Sequence, residues 1–322
     1  MSMETRKVQI TGGSTYIVSL PPDWVRQNNI SKGSILSMES SGDSLNIYLN
    51  NRKRKEIIKE LEISGNYEED ILPRTLVSLY ISGFDVLVVK SKGYISQEIK
   101  DIVKKFSRLV MGVEIFEESS TAITLQNVLD AESFSLSTAL KRMIMNVQLM
   151  LNDTIKALGT MEKELLENIA GRDDDVDRYH FYIMKEISME KYQGNDIVFN
   201  LIFSRILERV ADHSVNICNF LKESEKLDHG RREELISYMK YCNDIFQEAT
   251  TAFMGADLKT LNQIVNGKNE IIRLKSEMMK KKYGDVYFSG ILEEISRVGM
   301  YSTDIAEITM DRYVQKNLRI RI

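Results

Sequence analysis

The sequence predicts a multidomain α+β protein. It reads as an N-terminal β-hairpin domain, a small α/β sandwich, and a C-terminal all-α region built as a pair of three-helix bundles. Three observations carry that reading. All three prolines, Pro21, Pro22 and Pro73, fall in the first quarter of the 322 residues, so long helices are permitted from residue 74 onward. The apolar pattern changes along the chain from strand-like alternation to helical spacing. The helical part also aligns onto itself, as a duplication does.

The first domain, 1–52, opens with KVQITGGSTYIVSLP, which predicts strand, Gly-rich turn, strand. GGST at 12–15 could be taken for a phosphate-cradling loop. It lacks the following Lys-Ser/Thr and runs into a strand, so a hairpin turn is expected. PPDWVRQNN predicts a short helix with proline at its start. ISKGSILSMES and SLNIYLN form a second hairpin around Ser-Gly-Asp. So short a unit cannot bury much core alone. It needs a partner, and the simplest is a second copy, which predicts a homodimer.

The second domain, 53–130, alternates. EIIKELEI is a strand, and EEDILPRTLVSLYISG a helix closed by Gly83. FDVLVVK is a short buried strand, ISQEIKDIVKKFSRLV an amphipathic helix, and VEIFEES with AITLQNVL a final strand pair. That order gives a small α/β sandwich with a crossover. The remainder divides into two units, 133–225 and 228–322. Its pattern predicts six helices, at about 135–159, 162–190, 196–223, 231–255, 257–282 and 287–317.

The chain is 43% hydrophobic and 28% charged, an ordinary globular mixture with material for a core. Cys218 and Cys242 have no metal-type spacing and read as thiols of a reducing compartment. MSMETRKVQ is polar, and no run approaches the ~20 apolar residues of a membrane span, so a soluble cytoplasmic protein is expected. The net charge of −4 is uneven. Residues 1–55 hold Arg6, Lys7, Arg26, Lys32, Arg52, Lys53, Arg54 and Lys55 against Glu4, Asp23, Glu39 and Asp43. A basic end on an acidic body suggests a polyanion partner; a solvated RKRK linker is the plainer explanation.

The repeat places NIAGRDDDVDRY (168–179) over QIVNGKNEIIRL (263–274) and SRILERVADHSVNI over SRVGMYSTDIAEI, from Ser204 and Ser296. In this register Asp173, Asp177 and Glu208 become Lys268, Ile272 and Met300, while Asp212 keeps its counterpart in Asp304. The first copy therefore carries two acid pairs, each four residues apart and so on one helical face. Apolar residues extend both ladders: Leu166, Ala170 and Met184 around the first pair, Ile197, Leu201 and Val215 around the second. Either the faces are wet, or the four carboxylates hold a hard or borderline cation between helices.

R-x-x-E-R-V-A-D-H at 205–213, with D-x-x-x-D at 173–177 on the preceding helix, resembles the PhoU family of phosphate-uptake regulators. The resemblance covers about 133–317. It implies two three-helix bundles, each with a Glu/Asp-x-x-x-Asp pair on two helices that binds clusters of iron or other metals. Carried onto this chain, the ligands are Asp173, Asp177, Glu208 and Asp212, with Arg205 and His180 as supporting neighbours. Iron is the first expectation, with manganese, magnesium and zinc as alternatives. The substitutions in the second copy leave a cluster only in the first. RKVQITGGSTYIVSLPPDWV and KGSILSM resemble AbrB/SpoVT-type swapped-hairpin DNA-binding domains, in which two chains interlace. Such a fusion is similar to an archaeal arrangement.

These resemblances imply a DNA-binding regulator of phosphate uptake. Its DNA contacts would come from Arg6, Lys7, Arg26, Arg52, Lys53 and Arg54, and its helical part would sense metal or a partner. The alternative is an adaptor that restrains a phosphate transporter or sensor kinase by contact, without DNA. No positioned nucleophile accompanies the acids, so no enzyme activity and no catalytic residue is expected.

Overall fold

The computed structural model describes residues 4–41, 44–49, 56–63, 71–129, 134–189, 196–224, 227–281 and 286–317. The chain separates into two units, Met1–Lys55 and Glu56–Ile322, each described by itself.

In the first unit, β1 (Gln9–Thr11) and β2 (Thr15–Ile17) form an antiparallel hairpin with Gln9 opposite Ile17. Gly12 and Gly13 turn it at φ of 62° and 82°, the left-handed conformations that glycine adopts without strain. The expected hairpin turn is therefore present where a phosphate loop was set aside. Helix α1 (Pro22–Gln27) begins on Pro22, whose fixed φ suits a first turn. Strands β3 (Leu36–Ser41) and β4 (Ser44–Leu49) make the second hairpin; Gly42 and Asp43 of its expected turn lie outside the described residues. Among its described residues this unit buries none. Val8, Ile10, Tyr16, Ile35 and Met38 are all open, and even the least exposed of them, Ile10, is 62% exposed.

The second unit starts with a four-stranded sheet in the order β5 (Ile58–Ile63), β6 (Val86–Ser91), β8 (Ala122–Asn127), β7 (Val113–Glu118). β5 and β6 are parallel, joined through helix α2 (Ile71–Ile81); β8 runs antiparallel to both β6 and β7. Alternate residues Leu87, Val89, Ile123 and Leu125 point inward. They meet Leu72, Leu76 and Tyr80 of α2, and Ile99, Val103 and Phe106 of α3 (Gln97–Leu109). Ser96 caps α3 by accepting from the Ile99 amide.

Six helices follow: α4 (Leu136–Thr160), α5 (Lys163–Ser188), α6 (Asp196–Glu223), α7 (His229–Phe253), α8 (Leu258–Lys280) and α9 (Val286–Lys316). They fall within a few residues of the sequence expectation. Ser135, Asp228 and Asp257 cap α4, α7 and α8 through their side chains. The two three-helix sets do not have separate cores. One apolar cluster runs through both, with α6 and α9 packed along each other at its centre. Phe203 of α6 stacks on Phe253 of α7 at 3.8 Å between centroids. Among the described residues no helix is long and apolar enough to cross a membrane.

Candidate metal centre

Helices α5 and α6 pack as neighbours, and the acid pairs lie along their seam. The four carboxylates are partly buried and feel one another. Burial first, then Asp177, Asp212, Asp174 and Glu208, pushes the Asp173 carboxyl up to about 7. Burial and the neighbouring Asp212 and Asp174 push Asp177 up to about 6. Burial and Asp212 push Glu208 up to about 7, against the opposing pull of Arg205. Asp212 is raised as well, by burial. Mutual repulsion of this kind requires that the pairs share one locality rather than facing apart.

Arg205 donates from Nη1 to Glu208 Oε1 at 3.0 Å, and Arg209 Nε lies 3.8 Å from Oε2 of the same residue, whose side chain is only 13% exposed. Glu208 Oε2 and Asp173 Oδ1 are nevertheless buried without a hydrogen-bond partner. Buried acceptors left unsatisfied are costly and uncommon in folded proteins. A hard cation with oxygen ligands would satisfy them, so the residues fit the group that the sequence resemblance implies. The side chains as they stand are not drawn into a ligand set: among the described residues no three His, Cys, Asp or Glu are gathered as one.

His180 Nδ1 meets Ser204 Oγ at 3.2 Å, and burial, with Arg205 nearby, holds its pKa down at about 4. The second histidine beside the acids is His213. Its Nδ1 meets Glu294 Oε2 of α9 at 2.6 Å, and Asn216 donates to the same oxygen at 3.1 Å. These contacts join residues about eighty positions apart, and no local spacing points to them.

The corresponding seam of the second copy lies between α8 and α9. It opens into a cavity of about 480 Å³ lined by Lys268, Ile272, Met300 and Asp304 among others. Asp304 is raised by burial and by Glu307, and Lys268 opposes this. Lys268 Nζ stands 3.8 Å from Glu307. At the four corresponding positions a single carboxylate, Asp304, stands in place of four, and Glu293, which also lines the cavity, pairs with Lys275 and Arg297.

In the first unit, Arg6 pairs with Glu4 and Arg26 with Asp23, while Lys7 is exposed. Arg52, Lys53 and Arg54 lie outside the described residues.

Residues 140–221, spanning most of α4 through α6, match the family model described as "PhoU domain". Residues 9–64 match that of "Antidote-toxin recognition MazE, bacterial antitoxin". The Phosphate-specific transport system accessory protein PhoU homolog 1 of Thermotoga maritima is 26% identical over 57% of this chain and 88% of its own length. Two crystal structures share the helical fold. PhoU from Pseudomonas aeruginosa aligns at a TM-score of 0.51 and 18% identity, over 56% of this chain and 96% of its own. The phosphate transport system regulatory protein PhoU from Streptococcus pneumoniae aligns at 0.50 and 16%, over 58% and 96%. The helical region thus carries a PhoU domain and the N-terminal region a MazE/AbrB-type domain, and the chain is similar to PhoU proteins.

Proposed function

We propose that this PhoU-type regulator of phosphate uptake binds a cation at the α5–α6 seam and contacts DNA through a dimeric N-terminal domain. It is a regulator rather than an enzyme. The observation that carries the metal reading is the seam itself: four mutually repelling carboxylates with two buried, unsatisfied oxygens. Asp173, Asp177, Glu208 and Asp212 would be the ligands, and Arg205 would hold Glu208 in position. Iron comes first among candidate ions, then manganese, magnesium and zinc. A bound ion would supply positive charge that turns repulsion between α5 and α6 into attraction. Purified protein is expected to carry metal by elemental analysis, and Glu208→Ala with Asp212→Ala to reduce it to background. Unchanged metal in that double variant would leave the seam as a wet face.

The dimer rests on the first unit, which leaves its apolar side chains open along both hairpins. A patch of that kind is normally covered by another protein surface. Sizing at micromolar concentration is expected to give a dimer, and a folded monomer would rule this out. The DNA reading rests on the basic excess of residues 1–55. Its contacts would be mainly to phosphates and so steeply salt-dependent. One observation favours the adaptor alternative: Arg6 and Arg26 already pair with acids of their own unit. A gel shift on the gene's upstream region at low salt separates the two. Retention that weakens in Arg6→Ala with Lys7→Ala supports DNA binding, and no retention supports an adaptor acting on a transporter or signalling protein.

A further inference from the structure

Helix α5 bears two sets of contacts in series. Asp173 and Asp177 face α6 on its N-terminal side. One turn on, His180 is pinned to Ser204 of α6. Beyond that pin, the same helix carries the sheet domain. Phe181 packs against the core of that domain. The Lys185 ammonium lies 4.9 Å from the centroid of the Tyr80 ring, with Lys185 and Glu186 both buried. Ser188 Oγ donates to the Ile81 carbonyl. Gly83, at φ of 75°, lets the chain pass so close to Met189 that a Cβ there would lie 2.7 Å from its sulfur. The bundle helix that packs against α2 and α3 is α5. Met111 and Leu129, at the foot of the sheet domain, touch the bundle core.

We infer that α5 is a lever: a cation drawn between α5 and α6 at the acid pairs shifts the helix about the His180–Ser204 contact and changes the docking of the sheet domain. The inference rests on the metal reading above. Asp177 and Lys185 are eight residues apart, or about 12 Å along a rigid helix. Helix displacements of 1–2 Å are the ordinary scale of such transitions. The docking face adds a buried ammonium, a buried carboxylate and an aromatic ring to the apolar contacts of Phe181, Met111 and Leu129. Relative motion is the default expectation at a domain interface that is not large and wholly hydrophobic.

The test is hydrogen–deuterium exchange of the full chain with and without manganese(II) chloride, with metal content measured on the same samples. Exchange in 71–83 is expected to change by about fivefold or more on loading, the lower end of ordinary coupling between sites. Phe181→Ala is expected to keep the bound metal and lose the response in 71–83. A second variant, Lys185→Met, retains the stem and removes the charge, so the test survives if Phe181→Ala misfolds. Bound metal with unchanged exchange in 71–83 would overturn the lever and leave the metal reading intact. No bound metal would overturn both.

Discussion

The two halves of the helical region share one backbone plan and differ in what lines the seam between their second and third helices. In the first, Asp173, Asp177, Glu208 and Asp212 share one partly buried locality, and carboxylate neighbours help raise the pKa of the first three. In the second, Lys268, Ile272, Met300 and Asp304 border an open cavity. The two halves thus match in their packing positions and differ in their polar ones. The apolar ladder fixes the bundle, and the residues interrupting that ladder set the chemistry of the seam.

The comparison breaks most visibly if the chemistry can be moved. Lys268→Asp with Ile272→Asp and Met300→Glu adds three acids to Asp304 and so rebuilds a set of four. This variant is expected to raise metal per chain above wild type by elemental analysis. An unchanged content would mean that positions beyond those four decide occupancy.

A second expectation concerns pH. Asp173 and Glu208 near 7, and Asp177 near 6, stand above the roughly 4 of an unfolded carboxylate. Between those values the native state binds more protons than the unfolded one, so its stability falls as pH rises. In chelator, Tm is expected to be lower at about pH 7.5 than at about pH 5 through these groups. Asp173→Asn with Glu208→Gln should flatten the slope. Added metal should reverse it, because the ion requires the deprotonated acids. A slope unaffected by the double variant would place the titrating groups elsewhere.

The smallest effect sharpens the comparison on the packing side. A Cβ at Gly299 of α9 would meet Cys242 Sγ at 2.8 Å and Ile271 Cδ1 at 2.9 Å. Gly299→Val is expected to cost about 1–3 kcal/mol by overpacking. Denaturant unfolding should show the loss with metal content unchanged.

Much of this was legible in the sequence because it is local. The helical apolar period places all six helices to within a few residues, and Gly12 and Gly13 mark the first hairpin turn. The acid pairs could be read because a helical period places residues four apart on one face. What local pattern could not supply is which faces meet. His213 with Glu294, His180 with Ser204, and Lys185 beneath Tyr80 each depend on the packing of distant helices. The same holds for the merging of two expected cores into one.

That shared core has a consequence for how such a chain can fold and be cut. With Phe203 stacked on Phe253 and α6 lying along α9, neither half covers its own central helix. A chain severed between α6 and α7 would leave a long apolar stripe open on each fragment. The two fragments would be expected to seek each other, or other copies of themselves, before either behaved as an independent domain. With a shared core, the six helices are expected to fold as one cooperative unit, whose halves can vary in their seams only so far as their common stripe is preserved.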